Sequence, residues 1–143
     1  MRYIVATDGS EASLKAAAFL AQHSCPGRED EVFVVYVFPL PPDPELYADV
    51  VSLPTEAGDR RVTRVAKPML AKTLEVLAES ESRVHEVVLV GNPAKEIVEF
   101  ATNMRADLIV AGTRGRSSAA ELYLGSVSSA LTHRAPCSVL IVR

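Results

Sequence analysis

Short apolar blocks alternate with longer amphipathic blocks along the whole chain. The apolar blocks have the length and composition of strands, and the longer blocks repeat apolar residues at 3.6-residue spacing, which is typical of helices. The pattern predicts five strands near residues 2–7, 31–38, 83–90, 108–111 and 138–142. It predicts four helices near residues 10–22, 55–81 and 93–104 and from Gly125 onward.

The strands themselves indicate how the sheet is built. Residues 32–37 and 87–90 are almost continuously apolar, which is typical of strands covered on both faces in a parallel sheet. Strands that alternate with helices favour a doubly wound, Rossmann-like α/β fold with helices on both faces of the sheet. A chain of 143 residues with 48% hydrophobic residues fits one domain spanning residues 1–143.

Charge narrows the range of partners. A net charge of −3 and a pI near 5.6 argue against a nucleic-acid partner. Arg60, Arg61 and Arg64 form the densest basic patch, and because Glu56 and Asp59 flank it we interpret it as a solvated helix face. We find neither a signal-peptide core nor a stretch apolar enough to cross a membrane, so we expect no membrane partner and a cytoplasmic location.

Residues that often bind metals are few and scattered. Cys25 and Cys137 are far apart in the sequence and are interpreted as buried or idle thiols. His23, His85 and His133 have no Cys or carboxylate at ligand spacing. We therefore predict no metal site formed by protein ligands and no catalytic histidine.

The loop after the fourth strand carries the clearest chemical signal. Gly112-Thr113-Arg114-Gly115 follows the apolar run 108–111, and its glycines are expected to adopt positive φ so that backbone N–H groups can approach a ligand. Gly125 and Ser126 are expected to do the same from the far side, with Ser126 capping a helix that begins near Val127. Helix N-termini attract anions, so the loop predicts a phosphate site.

The phosphate loop alone cannot account for nucleotide affinity, so another part of the chain must contact the base and the sugar. A helix dipole contributes at most ~2 kcal/mol, whereas micromolar affinity for a nucleotide needs about 8 kcal/mol. Asp8 follows the first strand and offers a carboxylate to a ribose, although it could equally well organise the turn before the first helix. Arg114 and Arg116 could neutralise phosphate or face water.

With these motifs in view, the chain resembles the small, single-domain, ATP-binding universal stress proteins. The resemblance rests on Ala6-Thr7-Asp8-Gly9-Ser10, on Gly91-Asn92-Pro93-Ala94, on the Gly-x2-Gly-x9-Gly-Ser signature, and on the closing residues 134–142. It implies the strand order 3-2-1-4-5, which places Asp8 and Gly112 at the switch point where ligands bind in such sheets.

The resemblance also implies roles for individual residues. Asp8 would contact the ribose, Ala6 and Val37 would line the adenine pocket, and the glycine signature would hold ribose and phosphates. The complete set of nucleotide-binding candidates is Ala6, Thr7, Asp8, Val37, Gly112, Thr113, Arg114, Gly115, Gly125, Ser126 and Val127. The implied ligand is ATP, with or without Mg²⁺, and the implied assembly is a homodimer joined through residues 138–142.

Three functional hypotheses remain open at this point. The first is an ATP-binding stress-response regulator in which the nucleotide switches conformation or assembly with little or no turnover. The second is a slow ATP hydrolase in which Asp8, Ser10 or Ser126 orients water. The third is a dimeric scaffold with a vestigial site, or one that prefers AMP or ADP because of Glu121. No Walker, dinucleotide or nucleophile-elbow motif occurs, so the chain is not assigned to an enzyme class.

Two structural questions also remain open. The proline-rich connection 39–54 could shield the adenine or serve as a stiff surface spacer. Pro68 lies within the second predicted helix and is expected to kink or break it.

Overall fold

A computed structural model describes residues 1–24, 26–40, 55–113 and 124–143, without the side chains of residues 24 and 55–59. The described chain forms one parallel sheet of five strands in the order β3-β2-β1-β4-β5. The predicted topology is confirmed. The strands are β1 (Arg2–Ala6), β2 (Glu31–Pro39), β3 (Arg83–Gly91), β4 (Leu108–Gly112) and β5 (Ser138–Val142).

Within the described ranges, four helices connect these strands, also as predicted. Helix α1 passes into a π-helical turn, Leu20–Ser24, that takes it slightly beyond its predicted end. Helix α2 ends four residues earlier than predicted and runs through Pro68 without a break. The helices are α1 (Glu11–Phe19), α2 (Thr55–Leu77), α3 (Pro93–Met104) and α4 (Ser126–Arg134).

The start and end of α3 follow directly from the local sequence. Asn92 caps the helix by accepting a hydrogen bond from the Lys95 N–H at 3.1 Å, and Pro93 occupies the first helical position, where its missing N–H costs nothing. Arg105 ends the helix in the left-handed region at φ 49°. The predicted bounds of this helix are therefore confirmed at both ends.

Alternate strand residues pack into two apolar layers, one on each face of the sheet. On one face, Tyr3, Val5 and Val34 pack against α1 and α2. On the other face, Ile4 and Val35 belong to the layer that includes the buried residues of α3 and α4. This arrangement confirms helices on both faces.

The prediction that strands are covered on both faces holds for β2 and fails for β3. Residues 32–37 of β2 are all buried, because β2 lies inside the sheet with helices on both sides. In β3, however, Val88 and Val90 are 39% and 43% exposed. β3 forms an edge of the sheet, where an apolar side chain can reach solvent even though the strand sequence is continuously apolar.

Candidate functional site

A cleft of about 610 Å³ lies at the carboxyl ends of the strands, around the neighbouring ends of β1 and β4. This is the switch point of the sheet, because the chain continues from β1 to one side and from β4 to the other. Eight of the predicted site residues line the cleft, namely Ala6, Thr7, Asp8, Val37, Gly112, Gly125, Ser126 and Val127. Arg114 and Gly115 lie outside the described residues, as do Arg116, Glu121, Cys25 and most of the connection 39–54.

One wall of the cleft is apolar, with backbone groups at its edge. The Thr7 N–H donates to the Val35 carbonyl at 2.9 Å, which shows that Val35 directs its backbone groups toward β1. Backbone groups alternate sides along a strand, so those of Val37 point the same way, into the space beyond the last residue of β1. Val37 thus offers an N–H and a C=O beside the side chains of Ala6 and Ile97.

Asp8 has a structural role in the turn that leads into α1. Its Oδ1 accepts a hydrogen bond from the Ser10 N–H at 3.1 Å, and Ser10 in turn caps α1 by accepting from the Ser13 N–H at 3.3 Å. Asp8 is also the one carboxylate among the described residues that line the cleft. The turn therefore fixes a negative charge at this position.

The hydroxyl of Thr7 belongs to a buried network that connects the cleft to α2. Its Oγ1 lies 2.8 Å from Oγ1 of Thr73 and 3.2 Å from Oγ of Ser13, and it accepts from the Gly9 N–H at 3.1 Å. All three hydroxyl-bearing residues are buried. Both the hydroxyl and the N–H of Thr7 are therefore engaged within the protein, so Thr7 connects the cleft to α1, α2 and β2.

Gly112 lacks the positive φ expected from the sequence, and its reason for being glycine is a different one. Positive φ among the described glycines occurs at Gly9 and Gly91. A Cβ built on Gly112 would lie 2.6 Å from the backbone C and O of Ala12. The glycine lets the first turn of α1 pack directly on the end of β4, which brings the Asp8 turn and the glycine loop to the same cleft.

The predicted cap of α4 is also corrected by one residue. Gly125, at φ −62°, is the N-cap and Ser126 is the first helical residue, with no side-chain hydrogen bond at the cap. Instead, the buried Ser128 hydroxyl donates to the carbonyls of Thr113 and Gly125 at 2.8 and 2.9 Å. Ser126 does not cap α4, because it is the first helical residue and Gly125 holds the N-cap position.

Thr113 joins the two sides of the glycine loop. Its N–H donates to the Val142 carbonyl at 3.0 Å, and its carbonyl accepts from the Gly125 N–H at 2.7 Å. β4, β5 and the start of α4 are thereby held together through one residue. Thr113 positions the cleft residues, although it is not among those that line the cleft.

The sequence prediction missed residues contributed by α3 and by the end of α4. Asn92 and Pro93 line the cleft at the start of α3, and Arg134 is the one cation among the described lining residues. The Gly91-Asn92-Pro93 motif was a usable signal for the first two. Arg134 had none, because only the packing of α4 beside α3 brings its last turn to the cleft.

The described residues contain no group of three or more His, Cys, Asp or Glu side chains arranged to hold a metal ion. No helix in the described part of the chain is long and apolar enough to cross a membrane.

The fold and the cleft together define a doubly wound α/β protein with a cleft at its switch point. The sequence profile of the universal stress protein family matches residues 1–143. A universal stress protein of Methanocaldococcus jannaschii is 34% identical over 99% of this chain and 81% of its own length. The chain therefore belongs to the universal stress protein family.

Solved structures agree with this assignment. Universal stress protein UspA from Lactobacillus plantarum is 25% identical, with a TM-score of 0.76 over 100% of this chain and 97% of its own. A universal stress protein solved in complex with cAMP is 25% identical, with a TM-score of 0.60 over 100% of this chain and 96% of its own.

Proposed function

We propose that the whole chain, residues 1–143, acts as one nucleotide-binding domain that takes ATP into the cleft at the switch point. The observation that carries the proposal is the convergence of the Asp8 turn, the backbone of Val37 and the start of α4 on one cleft of about 610 Å³. The relative bound to cAMP supports an adenine nucleotide as the ligand class.

Each part of the cleft suits a different part of an adenine nucleotide. The N–H and C=O of Val37 form a donor and acceptor pair that matches the N1 and N6 edge of adenine, while Ala6 provides an apolar wall. Asp8 is placed to accept hydrogen bonds from ribose hydroxyls. The N–H groups at the start of α4, beginning at Ser126, face the phosphates.

Mg²⁺ would enter with the nucleotide. Asp8 is the only carboxylate that the described lining offers, which suits a cation held mainly by phosphate oxygens and water. A site of this composition supplies little to activate water, so we infer that turnover is slow or absent and that the nucleotide acts as a switch of conformation or assembly. Its cytoplasmic location and its role in stress response stay predictions.

The first test is calorimetric titration of nucleotide-stripped protein with ATP, with and without Mg²⁺. Gly125→Val is the blocked variant, because φ −62° and ψ 160° are allowed for any residue and the substitution adds a branched side chain to a residue that lines the cleft. Gly27→Val is the control, since the nearest atom to its Cβ would be 4.0 Å away. Saturable binding that Gly125→Val abolishes and Gly27→Val keeps is the expected result.

Other outcomes assign the site differently. If the wild-type protein binds no nucleotide, the glycines serve only packing, and the dimeric scaffold with a vestigial site becomes the favoured hypothesis. Brisk phosphate release that depends on Mg²⁺ and is lost in Asp8→Ala without loss of binding would replace the switch with a hydrolase.

We also propose a homodimer joined through β5. β5 forms one edge of the sheet and contains neither proline nor charge, so its outer backbone groups can pair with a second copy. The Thr113 N–H donates to the Val142 carbonyl, so residues 140 and 142 direct their backbone groups toward β4 and residues 139 and 141 direct theirs outward. Ile141→Pro removes one outward N–H and should convert dimers to folded monomers. Sedimentation of wild-type protein as a monomer at micromolar concentration would contradict this assembly.

A further inference from the structure

The outer face of α2 carries a basic groove that shares no lining residue with the nucleotide cleft. Its volume is about 650 Å³. The residues that line it, here called the α2 groove, are Arg60, Thr63, Arg64, Lys67, Pro68 and Ala71. All six are exposed, and they recur at the spacing of a single helix face.

The charge of this helix face is unusual for the protein. Five of the 15 Lys and Arg residues lie in residues 60–72, which contain no Asp or Glu, although Glu56 and Asp59 precede this stretch and the whole chain has a net charge of −3. Arg60, Arg64 and Lys67 are spaced at i, i+4 and i+7, and like charges at such spacing destabilise an isolated helix. Among the residues that the structure describes, neither Arg64 nor Lys67 forms an ion pair.

Pro68 and Ala71 add apolar surface to the same groove. Their side chains form a small apolar floor beside the cations. The groove therefore presents cations and an apolar surface, which are groups that contact an acidic peptide.

We propose that the α2 groove is a docking site for an acidic peptide segment of a protein partner. In an extended peptide, alternate side chains recur about every 6.6 Å, close to the ~6 Å rise between helix positions four residues apart. That rise separates Arg60 from Arg64, and Lys67 lies a further ~4.5 Å along the axis. The long side chain of Lys67 can cover the difference, so alternate carboxylates can reach successive cations.

Other anionic partners fit the groove less well. A membrane surface would require a free apolar helix face, but Ala66, Leu70 and Leu77 of α2 are buried in the core. A long nucleic acid would meet the acidic remainder of the chain, whereas a short peptide contacts the groove alone.

The test is fluorescence anisotropy with a labelled peptide of alternating Glu and Ala, roughly 12 residues long. The groove variant is Arg64→Glu with Lys67→Glu. The matched control is Arg61→Glu with Lys72→Glu, which makes the same change in net charge at exposed positions of the same helix outside the groove lining. Circular dichroism and ATP titration of each variant report the fold and the nucleotide cleft separately.

We expect saturable peptide binding that weakens as salt rises. We expect the groove variant to bind at least about tenfold more weakly and the control variant less than about threefold more weakly. Equal losses in the two variants, or no saturable binding by the wild-type protein at low salt, would overturn the proposal. A single-stranded oligonucleotide that binds the groove more tightly than the peptide would replace it with a nucleic-acid site.

Discussion

Replacing Gly112 by alanine tests whether the close approach of α1 to β4 builds the cleft. The new Cβ would lie 2.6 Å from the backbone C and O of Ala12 and 2.8 Å from its Cβ. Favourable carbon contacts lie near 3.5–4.0 Å, so α1 and β4 must separate by about 1 Å. Overpacking of this kind costs roughly 1–3 kcal/mol, and here the opposing atoms belong to a backbone that cannot rotate away.

Thermal unfolding and ATP titration measure the two consequences. A cost of roughly 1–3 kcal/mol lowers Tm by about 3–10 °C in a chain of this size, and displacement of α1 should also weaken nucleotide binding. Gly27→Ala is the control, because its Cβ would meet its nearest atom at 4.0 Å and should change stability by less than about 0.5 kcal/mol.

A second variant, Ala12→Gly, separates the side-chain contact of Gly112→Ala from its two backbone contacts. The Ala12→Gly substitution removes only the Cβ contact, while the two backbone contacts at 2.6 Å remain. Adding Ala12→Gly to Gly112→Ala should therefore restore little stability. If Gly112→Ala alone unfolds within about 2 °C of the wild-type protein and binds ATP normally, the tight approach does not shape the cleft.

Substitutions at three further positions probe the groups around the cleft and the sheet. Ser128→Ala removes the hydroxyl that donates to Thr113 and Gly125, and we expect about 1–2 kcal/mol lower stability in denaturant unfolding together with weaker ATP binding. Thr73→Val should cost about 1–2 kcal/mol through loss of the buried hydroxyl network, whereas Thr73→Ser, which keeps the hydroxyl, should cost less in the same assay. The pKa of Glu31 is lowered mainly by its hydrogen bond from Arg2, so its contribution to stability is present above the ordinary Glu pKa and is lost as pH falls through the lower folded value. Tm measured across acidic pH should consequently fall less steeply in Glu31→Gln than in the wild-type protein, and identical slopes would contradict this assignment.

Much of the fold could be predicted because its signals are local. The apolar runs of the strands and the Asn92-Pro93 cap depend on residues next to each other in the chain, and the structure confirms both. The exposure of Val88 and Val90 could not be predicted, because an edge strand and a central strand can share the same apolar sequence. Only the sheet order decides which of them a helix covers.

The residues of the candidate site also fall into those predicted from sequence and those placed only by the tertiary structure. The sequence by itself determined which residues end the strands, and thus that Asp8 and Gly112 would lie at the carboxyl edge of the sheet. That these two ends are neighbours followed from the strand order that the family resemblance implied, and the structure confirms this order. Tertiary structure alone decided why Gly112 must lack a side chain, since the Ala12 backbone that approaches it belongs to another element. It likewise brought Arg134 to the cleft, because contacts between distant segments depend on helix packing that no local pattern records.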